Sequence, residues 1–337
     1  MGSDEKALAR VSEAERRIAE AKTPEDANLL RRQIPALKKL LGIRKKAYEE
    51  AFPLAVAYLK ACIKAGELWA ATENKRPEGR PKKTVAVATV SATDVGFTDR
   101  EDASRCVRLA QAAADDQLNT YLEDCRQHGA MPSPFGLTFY AVWKGYVAGS
   151  GDTNVRNVPE GKFQCIVVDP PWPVAKIERD VRPLQRADLS YDEQGRTWPL
   201  EEIQRGVLKV MVRDKADEQA HLYLWTTHHY LPAAIECARE WGFEYQCLMT
   251  WVKNVGMTPF SWMYSTEHVV FATRGGLSLK RMGIRLDFSA KVREHSRKPD
   301  EFYEIVKEAS PGPRLDLFSR EGREGFQAWG NEVAKFD

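Results

Sequence analysis

The chain of 337 residues predicts an α/β fold with a mostly parallel sheet, preceded by an all-α N-terminal domain. Three observations carry this. Apolar residues over the first 130 positions recur at helical spacing. Pro132-Ser133-Pro134 breaks the pattern. Beyond it, short apolar runs alternate with helical stretches, the grammar of buried parallel strands covered by helices. The boundaries are therefore 1–133 for a helical domain and 134–337 for the α/β domain.

In chain order, Leu8, Val11 and Ile18 and then Leu29, Leu37, Leu40 and Leu41 mark the first helices. Thr23-Pro24-Glu25 reads as a helix start, with Thr as N-cap and Pro in the first turn. Leu54, Tyr58, Leu59, Cys62 and Ile63 extend the helical pattern toward Trp69, giving three or four helices up to residue 72. Residues 73–84, with two prolines, one glycine and five basic residues, read as a linker. A helix over Val85–Val95, a turn at Gly96-Phe97-Thr98 and a second helix over Asp99–Ala114, capped by Thr98, form a candidate helix-turn-helix. Arg105 and Arg108 lie on one face of its second helix.

The expected strands are Gln164–Val168, His221–Trp225, Gln246–Trp251, His268–Ala272 and Arg314–Phe318, with helices over Leu200–Lys209, Leu231–Trp241 and Pro299–Ala309. Ligands of such sheets sit beyond the carboxyl ends of the strands.

Composition narrows the function classes. Hydrophobic residues make up 43% and charged residues 29%, enough for a packed core and against global disorder. The net charge of +2 means that a nucleic-acid partner must be argued from local clusters. No apolar run reaches the ~18 residues of a membrane helix. The charged N-terminus lacks the apolar segment of a signal peptide, which leads to an expectation of cytoplasmic location. Six cysteines without a CxxC pair, and no HExxH, point to reduced thiols and no bound metal.

The chemistry is concentrated in Asp169-Pro170-Pro171-Trp172, directly after the first expected strand. Asp169 stands at a carboxyl strand end. The prolines hold the backbone extended and present carbonyl acceptors, and Trp172 offers a flat face. Acceptors beside a stacking face suit a nucleobase with an exocyclic amine. The adenine N6 amine is a poor nucleophile because its lone pair is delocalised. A carboxylate and a carbonyl accepting its N–H bonds push the nitrogen toward attack on the methyl of S-adenosylmethionine (SAM), with rate drawn from positioning and preorganised acceptors.

This motif resembles the catalytic motif of the MT-A70 adenine-N6 methyltransferases. The resemblance runs over residues 150–333, through Trp198–Ile203, Leu222–Thr226, Trp241–Phe243, Trp251–Lys253, Ser265–Val269, His295–Glu301, Ser310–Gly312, Leu315–Arg320 and Trp329–Glu332. Its style is closer to bacterial and phage members than to the messenger-RNA enzymes. It implies a Rossmann-like SAM-dependent methyltransferase fold in permuted, β-class order, with the catalytic motif ahead of the main cofactor segment. By that resemblance Lys298 lies near the methionine carboxylate of SAM and Asp316 near the ribose hydroxyls. Phe318, Arg320, Asn331 and Glu332 complete the cofactor set, and Asp152 joins it one residue off the family spacing. Gly322 and Arg323 stand where the messenger-RNA enzymes carry a His-Asn pair.

For the substrate, residues 274–298 hold eight basic residues against two acids. Arg274, Lys280, Arg281, Arg285 and Arg293 are phosphate-gripping candidates. Lys253 and Glu267, within matched stretches, and Tyr191, in the loop after the catalytic motif, join the substrate set. Arg31–Lys46, with seven basic residues and no acid, is a further phosphate candidate. The expected reaction is methylation of adenine N6 in DNA. RNA methylation, or an inactive nucleic-acid-binding or partner protein on the same fold, is the alternative. A homodimer or a paired subunit is the expected assembly, in a bacterial or phage-infected cytoplasm.

Overall fold

The computed structural model describes residues 3–40, 48–72, 90–113, 116–144, 159–173, 197–254, 262–294 and 297–330. The chain divides into two compact units, 1–147 and 148–337.

The first unit contains α1 (Ser3–Glu20), α2 (Pro24–Leu40), α3 (Tyr48–Ala71), α4 (Arg100–Ala112), α5 (Gln117–His128) and α6 (Pro134–Trp143). Thr23 caps α2: its Oγ1 accepts from the Asp26 N–H at 3.2 Å, and the Asp26 carboxylate accepts from the Thr23 N–H at 3.2 Å. That reciprocal pair satisfies two N–H groups of the first turn. Ile18, Leu30, Ile34, Ala57 and Ala61 bury the facing stripes of α1, α2 and α3. Arg31 ties α2 to α4 through a 2.8 Å ion pair with Asp102, both side chains largely enclosed. It is therefore a structural cation and not the phosphate contact that its basic run suggested.

Two expectations change here. Pro132-Ser133-Pro134 is a helix start and not a domain boundary. Ser133 Oγ accepts from the Gly136 N–H at 2.8 Å, and Pro134 stands in the first turn of α6. Helix α6 packs on α4 and α5, which carries the boundary to 147/148. The expected first helix of the helix-turn-helix is absent over its described part. Residues 91–95 form turns, in which the Ser91 N–H donates to the Asp94 carboxylate at 2.8 Å and the Asp94 N–H to Ser91 O at 3.1 Å. Ser and Asp side chains competing for backbone groups favour turns over helix interiors. Asp99, not Thr98, caps α4, accepting from the Asp102 N–H at 2.7 Å. Arg105 pairs with Glu101 at 3.4 Å on the same helix.

The second unit carries one seven-stranded sheet in the order β5-β3-β4-β2-β1-β6-β7. The strands are β1 (Phe163–Val168), β2 (Ala216–Thr226), β3 (Glu244–Lys253), β4 (Thr266–Arg274), β5 (Asp287–Ala290), β6 (Arg314–Leu317) and β7 (Gln327–Trp329). Helices α7 (Leu200–Gln204), α8 (Val207–Lys215), α9 (Leu231–Glu240) and α10 (Asp300–Ala309) connect them. Only β4 runs against the rest. The carboxyl ends of six strands and the amino end of β4 therefore share one edge. The helix expected over Leu200–Lys209 breaks at Gly206, where a Cβ would lie 2.2 Å from Glu202 Oε2. The core between the sheet and α10 is built from Val167, Tyr223, Trp225, Val269, Phe302 and Val306 with their neighbours. Among the described residues, no helix is long and apolar enough to cross a membrane.

Candidate active site

The site is assembled at the shared strand edge. Asp169 follows β1, and its N–H donates to Leu317 O of β6 at 3.3 Å. Asp316 lies on β6 in register with Val167. Glu267 lies near the start of the antiparallel β4, opposite Trp251. Lys253 ends β3, and Lys298 precedes α10. The crossing of β4 is what brings Glu267 to the same edge as Asp169.

Four charges alternate in sign there. Lys298 Nζ lies 3.2 Å from Asp169 Oδ2 and 3.3 Å from Glu267 Oε2, and Lys253 Nζ lies 2.5 Å from Glu267 Oε1. The Lys298 ammonium also sits 4.8 Å from the centre of the Trp225 ring. Burial alone would lower the Lys298 pKa, but the two carboxylates outweigh it and raise it. Burial pushes Asp169 above the usual carboxylate range, against the pull of Lys298 and with a further push from Glu267. Glu267 is held below its usual range because Lys298 and Lys253 together overcome its desolvation. The two carboxylates are thus driven apart in proton affinity, with Asp169 the better proton acceptor.

A small cleft opens beside these charges. Asp169, Lys298, Tyr303, Asp316, Phe318, Arg320 and Arg323 line it. Asp316 is buried, accepts from the Tyr303 hydroxyl at 3.0 Å, and has its pKa pushed up to about 6, chiefly by desolvation. Phe318 adopts a left-handed backbone conformation (φ 64°). Its N–H donates to Trp329 O at 2.7 Å, and its ring meets Trp198 edge-on with centroids 5.1 Å apart.

The structure thus brings together Asp169, Lys298, Asp316, Phe318 and Arg320, and adds Lys253 and Glu267 as a charged wall. Asp152, Tyr191, Asn331 and Glu332 lie outside the described residues.

Other expectations are corrected. Trp172 is buried, its ring is stacked on Tyr230 (5.3 Å, 10°), and its Nε1 donates to Trp225 O at 2.9 Å. One face of the indole is therefore covered, so Trp172 braces the corner instead of offering an open stacking surface. The proline carbonyls are also engaged. Pro170 O accepts from the Trp172 N–H and Pro171 O from the Trp198 N–H, each at 2.8 Å. Each carbonyl keeps one further lone pair.

The basic loop is mostly neutralised within the chain. Arg281 pairs with Glu308 and Arg285 with Asp287, each at 2.7 Å, and Lys280 Nζ donates to Lys307 O at 3.2 Å. Arg293 pairs with Asp300 at 2.9 Å and donates to Lys298 O at 2.8 Å, so it braces the lysine's backbone. Arg274 lies at the far end of β4, away from the cleft.

Sequence reasoning overlooked Tyr303, Glu321 and the role of Arg323. The Arg323 guanidinium stacks 3.8 Å over the Tyr303 ring, donates to Lys298 O at 3.1 Å and pairs with Glu321. Arg297 clamps Glu321 from the other side at 2.5 Å. The alternation of charge in Arg320-Glu321-Gly322-Arg323, directly after a strand end, was the available signal.

An open, nearly parallel sheet with one reversed strand, and a cleft at its carboxyl edge lined by both carboxylates and cations, defines a Rossmann-like methyltransferase domain. Strand β1, which leads to Asp169, precedes β6, which carries Asp316, in the chain. Residues 163–332 match the MT-A70 family model, and the chain belongs to that family. It is 28% identical over 189 residues to a putative N(6)-adenosine-methyltransferase MT-A70-like protein of Medicago truncatula (52% of this chain, 27% of the relative). It is 29% identical over 170 residues to the human N(6)-adenosine-methyltransferase catalytic subunit METTL3 (48% and 26%). To the type II methyltransferase M.MunI of Mycoplasma sp it is 25% identical over 190 residues (52% and 80%). The chain thus spans only about a quarter of the first two relatives.

Proposed function

We propose that this chain transfers a methyl group from SAM to the N6 amine of adenine in DNA. The observation that carries the reading is Asp169, at a strand end and raised in proton affinity, opening on the same cleft as Lys298, Asp316, Phe318 and Arg320. The donor set suits SAM. Lys298 and Arg320 would hold its carboxylate, Asp316 its ribose hydroxyls, and Phe318 would flank its base. Bound there, SAM would supply an electrophilic methyl on a sulfonium centre.

Asp169 and the remaining lone pair of Pro170 O accept the two amine N–H bonds and draw the nitrogen lone pair out of conjugation with the ring. As the nitrogen gains its methyl group it loses a proton, and Asp169 is the group placed to take it. Trp172 and Tyr230 hold the corner rigid, so the acceptors do not reorganise during the reaction. The match over 80% of the length of the type II methyltransferase favours DNA. The relatives named as adenosine methyltransferases favour RNA as the second reading. A pairing with a second subunit, or with a second copy, belongs to the same proposal.

SAM titration by calorimetry, with mass spectrometry of nucleosides from treated DNA and RNA, tests it. SAM binding and N6-methyldeoxyadenosine are expected; no SAM binding sinks the enzyme reading, and N6-methyladenosine from RNA alone moves the substrate. Asp169→Asn is expected to cut turnover by roughly 10²–10³-fold or more while SAM affinity stays within a few-fold. Lys298→Ala is expected instead to weaken SAM binding.

A further inference from the structure

At the opposite edge of the sheet, two arginines each carry a buried donor with no acceptor among the described residues. Arg274 closes β4, and Arg213 lies in the last turn of α8. Arg274 is seven residue steps from Glu267, roughly 24 Å along the strand, so it belongs to a different edge from the cleft. Arg213 Nε and Arg274 Nη1 are both shut off from solvent and have no hydrogen-bond acceptor among the described residues. No carboxylate among the described residues pairs with either guanidinium, although Asp214 is beside Arg213 in sequence, where it pairs with Lys215 at 3.4 Å. The strands bring them to one place: Arg274 faces Ala220 of β2, and a Cβ on the next residue, Gly275, would lie 2.3 Å from Glu218 O, five residues after Arg213. Burial and then the Arg274 charge weaken the hold of Arg213 on its proton.

Half-buried like charges with orphaned donors are unfavourable unless a group with several acceptor oxygens joins them. Two guanidinium forks arriving from different elements, α8 and β4, need acceptors that point in more than one direction. A tetrahedral oxyanion has them, and arginine forks match phosphate oxygens in pairs.

We propose that Arg213 and Arg274 form a phosphate-binding site on the edge of the sheet remote from Asp169. The site takes a phosphate group, either free or carried on a nucleic-acid strand. It goes beyond the methyl-transfer reading and does not depend on the chemistry of Asp169.

Thermal unfolding of the full chain with added inorganic phosphate, against chloride at matched ionic strength, tests it. The parent's melting temperature rises with the logarithm of phosphate concentration. Arg213→Gln and Arg274→Gln abolish that rise, and without phosphate they melt no lower than the parent, since a repulsion has been removed. Asp169→Asn keeps the rise, which separates failure of this site from failure of the methyl-transfer reading.

A second arm measures oligonucleotide affinity against salt. If the glutamine variants lose about 0.7–0.9 of salt slope per phosphate contact and free phosphate leaves the parent unmoved, the phosphate is carried on nucleic acid. If the slope is unchanged while the thermal response disappears, the ligand is a free phosphate group. Variants that melt lower without phosphate would make the arginines structural. A parent unresponsive in both arms would remove the site.

Discussion

At Phe318 the chain leaves β6 through the left-handed region, which a bulky residue rarely adopts and which costs of order 1–3 kcal/mol. Close neighbours hold the strained turn. Phe318 and Ser319 both donate to Trp329 O, and Gly330 lies so near that a Cβ there would be 2.8 Å from Ser319 O and 3.1 Å from the Phe318 backbone. The turn presents Phe318, Ser319 and Arg320 to the cleft. Gly330→Ala is therefore expected to cost about 1–3 kcal/mol of stability and to weaken SAM binding together. Urea midpoints and calorimetry check it; a destabilised variant with unchanged SAM affinity would separate the turn from the cofactor. Residue-scale chemistry also explains why Asp169 and Glu267 differ. Glu267 sits between two lysines, whereas Asp169 has Lys298 at 3.2 Å against its own desolvation and the push of the Glu267 charge.

At the scale of elements, α3 and α4 approach backbone to backbone. A Cβ on Gly66 would stand 2.0 Å from the carbonyl oxygen of Cys106. No rotamer relieves that contact, because the obstacle is main chain. Gly66→Ala should push the helices apart and cost about 3 kcal/mol or more, at the upper end of overpacking effects. Denaturant unfolding measures it; a loss below about 1 kcal/mol would mean that the helices slide apart freely. The same scale accounts for the turn at residues 91–97 and the extra helix at Pro134. Both are decided by short polar side chains satisfying backbone groups, through Asp94, Asp99 and Ser133.

At the scale of the whole molecule, buried titrating groups set the pH response. His221 is fully buried. Its Nε2–H donates to Leu277 O at 2.9 Å, so Nδ1 accepts from Ser310 Oγ at 2.8 Å, and Tyr223 donates to the same Oγ at 2.8 Å. Burial lowers the His221 pKa below 6.5, and burial with the neighbouring His228 charge lowers that of His268. Below pH 6.5 the unfolded chain takes up protons that the folded state refuses, so stability falls on acidification. The slope is up to about 1.4 kcal/mol per pH unit for each histidine. Asp316 works the other way. With its folded pKa raised to about 6 from 3.8, the folded state gains protons first, and acidification through that window adds stability. Urea midpoints between pH 7.5 and 5 should therefore fall. His221→Gln flattens the fall and Asp316→Asn steepens it; slopes unchanged in both variants would refute the assignment.

Some of this was legible in one dimension because it depends on local pattern. Short apolar runs bounded by turns marked β1, β2, β3, β4 and β6, and the acid with its prolines at the end of β1 marked the corner proposed as catalytic. The ordered matches from Trp198 to Trp329 marked the family. The three-residue β7 and the four-residue β5 carry too little periodicity to be read, and they become strands only by pairing with β6 and β3. Whether a charge is available was likewise invisible. Arg31, Arg281, Arg285 and Arg293 look alike in a basic run, and only the fold supplies Asp102, Glu308, Asp287 and Asp300 as their partners. The covering of Trp172 by Tyr230 and the arrival of Glu267 beside Lys298 belong to the same class. Read in one dimension, the chain names candidate residues and the strand end that presents Asp169. The tertiary structure alone decided which of them face one another, because contact across a sheet depends on strand direction and register, and these emerge only when the whole sheet pairs.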